Sequence, residues 1–171
     1  MPSGKVHDQI TIAAAVVCVP LWWSLTSPPR DIGAGATLIG SLLFSGLLIS
    51  PDLDLNSSIY KRWGPLRFLW WPYQKAVPHR SWVSHSYVFG PLLRTAYLLA
   101  VVYGVLRIGL WTVRAVFPLD RNALSRQWLH ALLHLPREHP AHFYMLVLGL
   151  LLGAGLHCIA DTVWSAAKRR F

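Results

Sequence analysis

Four stretches of the chain are apolar over nearly their whole length, and shorter polar segments separate them. They cover about residues 9–26, 33–50, 91–116 and 141–164. A helix needs roughly 17–25 such residues to cross the hydrocarbon core of a bilayer. The pattern therefore predicts four transmembrane helices. The first run ends in Ser27-Pro28-Pro29. No small-x-small cleavage site follows it, so we expect it to be retained as a span. The second run is rich in small residues (Gly33, Gly35, Gly40, Ser41, Ser45, Gly46), and the fourth carries Gly149-x-x-x-Gly153. Both patterns predict close helix packing. Pro91 suits the first position of the third helix. Arg94 and Arg107 lie near its two ends, where long side chains can snorkel to the interfaces.

Two further segments carry pattern without being long enough to span. Lys61–Lys75 interleaves aromatic and basic residues. It predicts an interfacial loop, with rings inward and cations against lipid phosphates. Leu119–Leu135 predicts a short amphipathic helix with Leu124, Trp128, Leu132 and Leu135 as its stripe. The expected fold class is all-α. It is an integral membrane four-helix bundle with an interfacial aromatic and basic loop and a short amphipathic helix, one domain over residues 1–171.

Composition supports the membrane reading. The 171 residues are 54% hydrophobic and 13% charged, with mean hydropathy +0.40. Soluble domains carry about 25% charged residues. Sixteen Lys and Arg stand against seven Asp and Glu, giving a net charge of +9. On so apolar a chain this excess fits anionic lipid headgroups and not nucleic acid. Cys18 and Cys158 both lie in apolar runs, as packing residues and not as a disulfide.

Charge also sets an expected orientation. With four spans, Lys5, Lys61, Arg62, Arg67, Lys75, Arg80, Lys168, Arg169 and Arg170 share one face, and Arg30, Arg114, Arg121, Arg126 and Arg137 the other. Nine against five places both termini in the cytoplasm, with the chain multi-pass in an inner (plasma or thylakoid) membrane.

Four polar motifs then fall on that cytoplasmic face. They are Gly4-Lys5-Val6-His7-Asp8, Ser50-Pro51-Asp52-Leu53-Asp54, the Pro78–Ser86 stretch with His79 and His85, and His157-Cys158-Ile159-Ala160-Asp161. Carboxylates beside a membrane are costly unless paired or bound to a cation. His157 and Asp161, spaced i, i+4, share one helix face. The expected metal ligands are His7, Asp52, Asp54, His79, His85, His157 and Asp161. One zinc ion takes about four ligands, so two divalent ions bridged by a carboxylate fit the set better. Mixed His and Asp donors suit zinc first, with manganese or iron as alternatives, and exclude a thiolate-rich structural zinc site. Such a site polarises a phosphoryl oxygen and lowers the pKa of bound water to about 7, which is ester hydrolysis. Asp8 or Asp54 would serve as general base, and Arg80 would clamp a phosphate. His130, His134, His139 and His142 fall on the opposite face, where we expect a structural or surface role.

The motifs Gly-Lys-Val-His-Asp, Pro-Asp-Leu-Asp, Arg-Trp-Gly-Pro-Leu-Arg, Pro-His-Arg-Ser-x-x-Ser-His and His-x-x-x-Asp together resemble a family of uncharacterised membrane metal-binding proteins common in cyanobacteria. That family is distantly similar to YdjM-type inner-membrane metal-dependent hydrolases, where the two histidines of the third motif stand one residue closer. Both are similar to zinc-dependent phospholipase C. The resemblance to phospholipase C implies a helical bundle with His157 and Asp161 as ligands and Asp52 or Asp54 bridging.

The sequence reading is a membrane-embedded hydrolase of a phosphoester such as a lipid headgroup. The alternative is a non-catalytic protein whose metal staples the helix ends together for docking of a partner or lipid. A metal transporter ranks below both, because the middles of the spans lack polar ligands.

Overall fold

The computed structural model describes residues 3–78, 81, 86–113 and 121–169, and its fold is all-helical. The α-helices among the described residues are α1 (Gly4–Leu25), α2 (Ile32–Leu47), α3 (Ser58–Arg62), α4 (Trp71–Ala76), α5 (Phe89–Val113), α6 (Arg121–Glu138) and α7 (Pro140–Lys168). Two 3-10 segments, Pro51–Asp54 and Gly64–Trp70, join them, and no strand is present among these residues.

Among the described residues three helices, α1, α5 and α7, are long and apolar enough to cross a membrane, where the sequence predicts four. The difference lies in α2. Asp31 starts it, its carboxylate accepting from the Ala34 N–H at 3.0 Å. Proline disfavours helical conformation in the residue before it, and Ser50, ahead of Pro51, is extended with ψ 167°. The helix has already ended at Leu47, after 16 residues. At about 1.5 Å per residue it spans roughly 24 Å, short of a bilayer core of about 30 Å. α1, by contrast, begins at Gly4 and takes His7 and Asp8 into the helix.

α2 is the centre of the packing. It runs parallel to α7, and their backbones touch at the small residues. A Cβ added to Gly153 would stand 2.5 Å from the Leu42 carbonyl oxygen and 2.8 Å from the Gly46 nitrogen. Ser45 Oγ donates to the Leu150 carbonyl at 2.7 Å, bonding the two helices where they are closest. α1 runs antiparallel to α2, with Thr11 against Gly46 and Trp22 against Gly35.

The aromatic and basic loop differs from expectation. Trp70 and Tyr73 are buried in the core, and with Trp63 and Tyr97 they form a ring cluster with centroids 5.1–5.8 Å apart. Gln74 fastens the loop to the Pro51–Asp54 turn, its amide donating to the carbonyls of Leu53 (3.0 Å) and Leu55 (3.1 Å). Only the other side of the loop is exposed, with Leu66, Phe68 and Trp71 beside Arg67 and Lys75.

Of the two arginines in the third run, Arg94 does not reach outward as expected. Arg94 is wholly buried at the start of α5. Arg107 donates to Ser125 Oγ at 2.9 Å and so ties α5 to α6. Trp128 of α6 stacks on Tyr103 at 5.6 Å, whereas Leu124, expected in the same stripe, is exposed.

Candidate metal centre

His7 enters the site from α1. Its neighbours on that helix face, Thr11 and Ala15, are also buried, so the face looks into the bundle. Thr11 Oγ1 donates back to the His7 carbonyl at 2.9 Å. His157 and Asp161 enter from α7, one turn apart on its buried face. Asp52 comes from the 3-10 turn that Pro51 sets after α2.

These four side chains meet. The His7 and His157 rings stack, with centroids 3.8 Å apart and planes inclined by 19°. His7 Nε2 stands 3.3 Å from Asp161 Oδ1. His157 Nε2 stands 3.5 Å from both Asp161 Oδ2 and Asp52 Oδ1. His7, His157 and Asp161 each offer one donor atom within 4.8 Å of the others.

The distances have a physical meaning. N–H···O hydrogen bonds run at about 2.7–3.2 Å, so these contacts are too long for good ones. Zinc bonds of about 2.0–2.2 Å imply ligand-to-ligand edges of roughly 3.3–3.6 Å for tetrahedral coordination. The contacts have that length. Both nitrogens of His157, Nδ1 of His7 and both oxygens of Asp161 are buried without a hydrogen-bond partner. Buried polar atoms are nearly always paired, and a cation between these donors would satisfy several of them. The residues therefore fit a divalent metal.

A family model described as Uncharacterized metal-binding protein (DUF2227) matches residues 2–171. The chain belongs to that family. No curated protein and no solved structure gives a significant match. Within this metal-binding family, the buried His7, His157 and Asp161 group is the one set of three donors among the described residues placed to hold an ion.

The other expected site residues lie elsewhere. Asp8 is on the next face of α1, and its carboxylate pairs with the Arg62 guanidinium. Asp54 is buried two residues beyond Asp52, within electrostatic reach of Arg94 and Tyr73. Burial pushes the Tyr73 hydroxyl above the usual phenol range, against the opposing pull of Arg94. His79, Arg80 and His85 lie outside the described residues. At the far end of α2, His142 Nδ1 stands 3.7 Å from Asp31 Oδ2, and the rings of His130 and His134 stack at 4.0 Å on α6.

Arg62 was not singled out from the sequence. Its Nη1 donates to the Leu47 carbonyl at 2.9 Å, so one side chain joins the end of α2 to the residue beside His7. In sequence Arg62 belongs to the basic and aromatic Lys61–Lys75 segment, and no local signal marks its contact with α2. Arg94, expected at the interface, is buried instead. Its position one turn inside an apolar run was the sign of a buried partner.

Proposed function

We propose that this chain is an integral membrane hydrolase acting on a phosphoester such as a lipid headgroup. Its divalent metal, zinc first, is held by His7, Asp52, His157 and Asp161 at the cytoplasmic face of an inner membrane. In this reading α2 crosses with the other three long apolar helices, lengthened by the Pro51–Asp54 turn, and both termini are cytoplasmic. A second ion would draw on His79 and His85, with Asp52 bridging.

The observation that carries the reading is the asymmetry of the donor group. The side chains of His7 and His157 are 2% and 1% exposed, whereas that of Asp52 is 21% exposed. The histidine side is sealed, and Asp52, whose Oδ1 is buried against His157, carries the rest of its side chain outward. Catalytic metal sites keep an accessible position where structural ones are closed. The ion would supply polarisation of a phosphoryl oxygen and activation of water. The chain's own residues would orient the ester and keep the histidine side dry. Asp8 enters as a general base only on release from Arg62.

The burial of both histidines favours the staple as a second reading, in which the ion joins α1, α7 and the Asp52 turn without turnover. Two measurements separate these readings. Metal analysis of detergent-purified protein should find at least one zinc per chain, and His157→Ala should lose it. Phosphate release should then be seen from phospholipids or chromogenic phosphoesters and vanish in the same variant. A metal-loaded protein inactive across a broad ester panel is the staple. A wild type without stoichiometric metal overturns both. Labelling of Lys168→Cys from the cytoplasmic side only would fix the orientation.

A further inference from the structure

The outer side of the loop between α2 and α5 carries one sign of charge. A 3-10 helix turns once every three residues, so Pro65, Phe68 and Trp71 fall along one edge of the Gly64–Trp70 segment and its exit. All three are exposed, Phe68 by 63% and Trp71 by 59%, with Leu66 beside them at 51%. Lys61, Arg67 and Lys75 are exposed around them, and Lys75 Nζ lies 6.0 Å from the centre of the Trp71 ring. Every exposed side chain between residues 61 and 76 is either basic or apolar. No Asp or Glu occurs between residues 55 and 119.

This side is held from behind. Trp63 Nε1 donates to the Leu48 carbonyl at 2.9 Å, the Gln74 amide to the carbonyls of Leu53 and Leu55, and the Tyr97 hydroxyl to the Leu69 carbonyl. Gly4, the first residue of α1, packs against Ser58 of α3. The loop therefore sits over the start of α1 and the end of α2, at the end of the bundle where His7 and Asp52 meet.

We propose that Leu66, Phe68 and Trp71 insert into the headgroup layer of an anionic bilayer, with Lys61, Arg67 and Lys75 on the lipid phosphates around them. The chemistry selects a lipid surface. Aromatic rings ringed by cations suit the boundary between phosphate and hydrocarbon. Each basic side chain near an anionic leaflet strengthens attachment about fivefold. A protein partner would present mixed polarity, whereas this side offers it neither carboxylates nor neutral polar groups. The buried rings of Trp70 and Tyr73 leave only one side of the loop for lipid. Through Gln74, docking would hold the Asp52 turn at headgroup depth. The proposal goes beyond the hydrolase reading, since it applies equally to a metal that only staples the helices.

The test uses the full chain in bilayer nanodiscs of phosphatidylcholine with or without phosphatidylglycerol, each containing doxyl-labelled lipid as quencher. A fluorophore is attached at Ala76→Cys, an exposed position next to Lys75. Cys18→Ser removes the other accessible thiol, and Cys158 is buried. The fluorophore should be quenched in phosphatidylglycerol bilayers, and high salt or phosphatidylcholine alone should relieve the quenching. Replacing Lys61, Arg67 and Lys75 together by Gln should weaken docking about a hundredfold and bring quenching in phosphatidylglycerol down to the phosphatidylcholine level. Phe68→Ser with Trp71→Ser should relieve quenching in phosphatidylglycerol as well. Wild-type zinc content in both variants would show that the bundle is intact. Equal quenching in the two bilayers, indifference to salt, or a fluorophore that stays unquenched in both overturns the proposal. The last result would leave the patch to water or to a protein partner. The lipid and salt comparisons need neither variant, so they decide even where a variant loses its fold.

Discussion

Arg94 is wholly buried although arginine at the end of an apolar helix has an easy route to water. Taking a guanidinium out of water costs several kcal/mol unless charge and hydrogen bonds compensate. The compensation is local. Asp54, Tyr73 and the Cys158 thiol lie within electrostatic reach of the guanidinium, and Tyr97, one turn along α5, packs on Trp70 and Tyr73. Asp54, expected as ligand or base, thus lies within electrostatic reach of a cation contributed by another helix. Arg94→Ala should destabilise the protein by about 3 kcal/mol, since removing one member of a buried pair strands the other. Thermal unfolding in detergent would measure it. Arg94→Ala combined with Asp54→Asn should recover part of the loss. A double variant no more stable than Arg94→Ala would show that Asp54 is not the partner.

The polar residue types of the site were legible because so few charges occur in an apolar chain. Of the seven acidic residues, Asp52 and Asp161 meet the histidines. Which acid meets which cation was not legible, because the Asp8–Arg62 pair joins residues 54 positions apart and only the fold sets that.

At the scale of elements, the small residues of the second and fourth runs marked their contact in advance. Gly149 and Gly153 sit against Leu38, Leu42, Ser45 and Gly46 of α2. Small residues let the two backbones approach closely, and the Ser45 hydroxyl bonds across to the Leu150 carbonyl. Helix ends were less legible. The apolar run continued through Ser50, but the chain leaves the helix after Leu47 on its way to Pro51 and so gains the turn that presents Asp52. The aromatic loop misled because its composition describes both of its sides at once. Trp70 and Tyr73 point in, while Phe68 and Trp71 point out. Gly153→Leu would force α7 away from α2 and should destabilise by about 3 kcal/mol or more, at the upper end of overpacking penalties. Because Gly153 lies one turn before His157, the same variant should also weaken metal binding. Calorimetric zinc titration would detect this, and unchanged affinity would mean that α7 holds its donors independently of the seam.

At the scale of the molecule, the centre closes a loop over most of the chain. His7 and His157 are separated by 150 positions, and the first turns of α1, the Pro51–Asp54 turn after α2 and the second half of α7 all converge there. An ion bound between them acts as a cross-link of the folded state. Ligands that bind only the folded state stabilise it by about 4 kcal/mol when free ligand exceeds Kd a thousandfold. For a chain of this size each kcal/mol shifts Tm by roughly 2–4 °C, so chelation should lower the melting temperature by roughly 8–16 °C. Readdition of zinc should restore it. His157→Ala should melt near the chelated wild type and no longer respond to the chelator, because the ion's contribution is already absent. A wild type whose melting is indifferent to chelator, while its metal content falls to zero, would show that the helix ends hold together by packing alone. The staple would then be excluded, and the metal would be left with a purely chemical role.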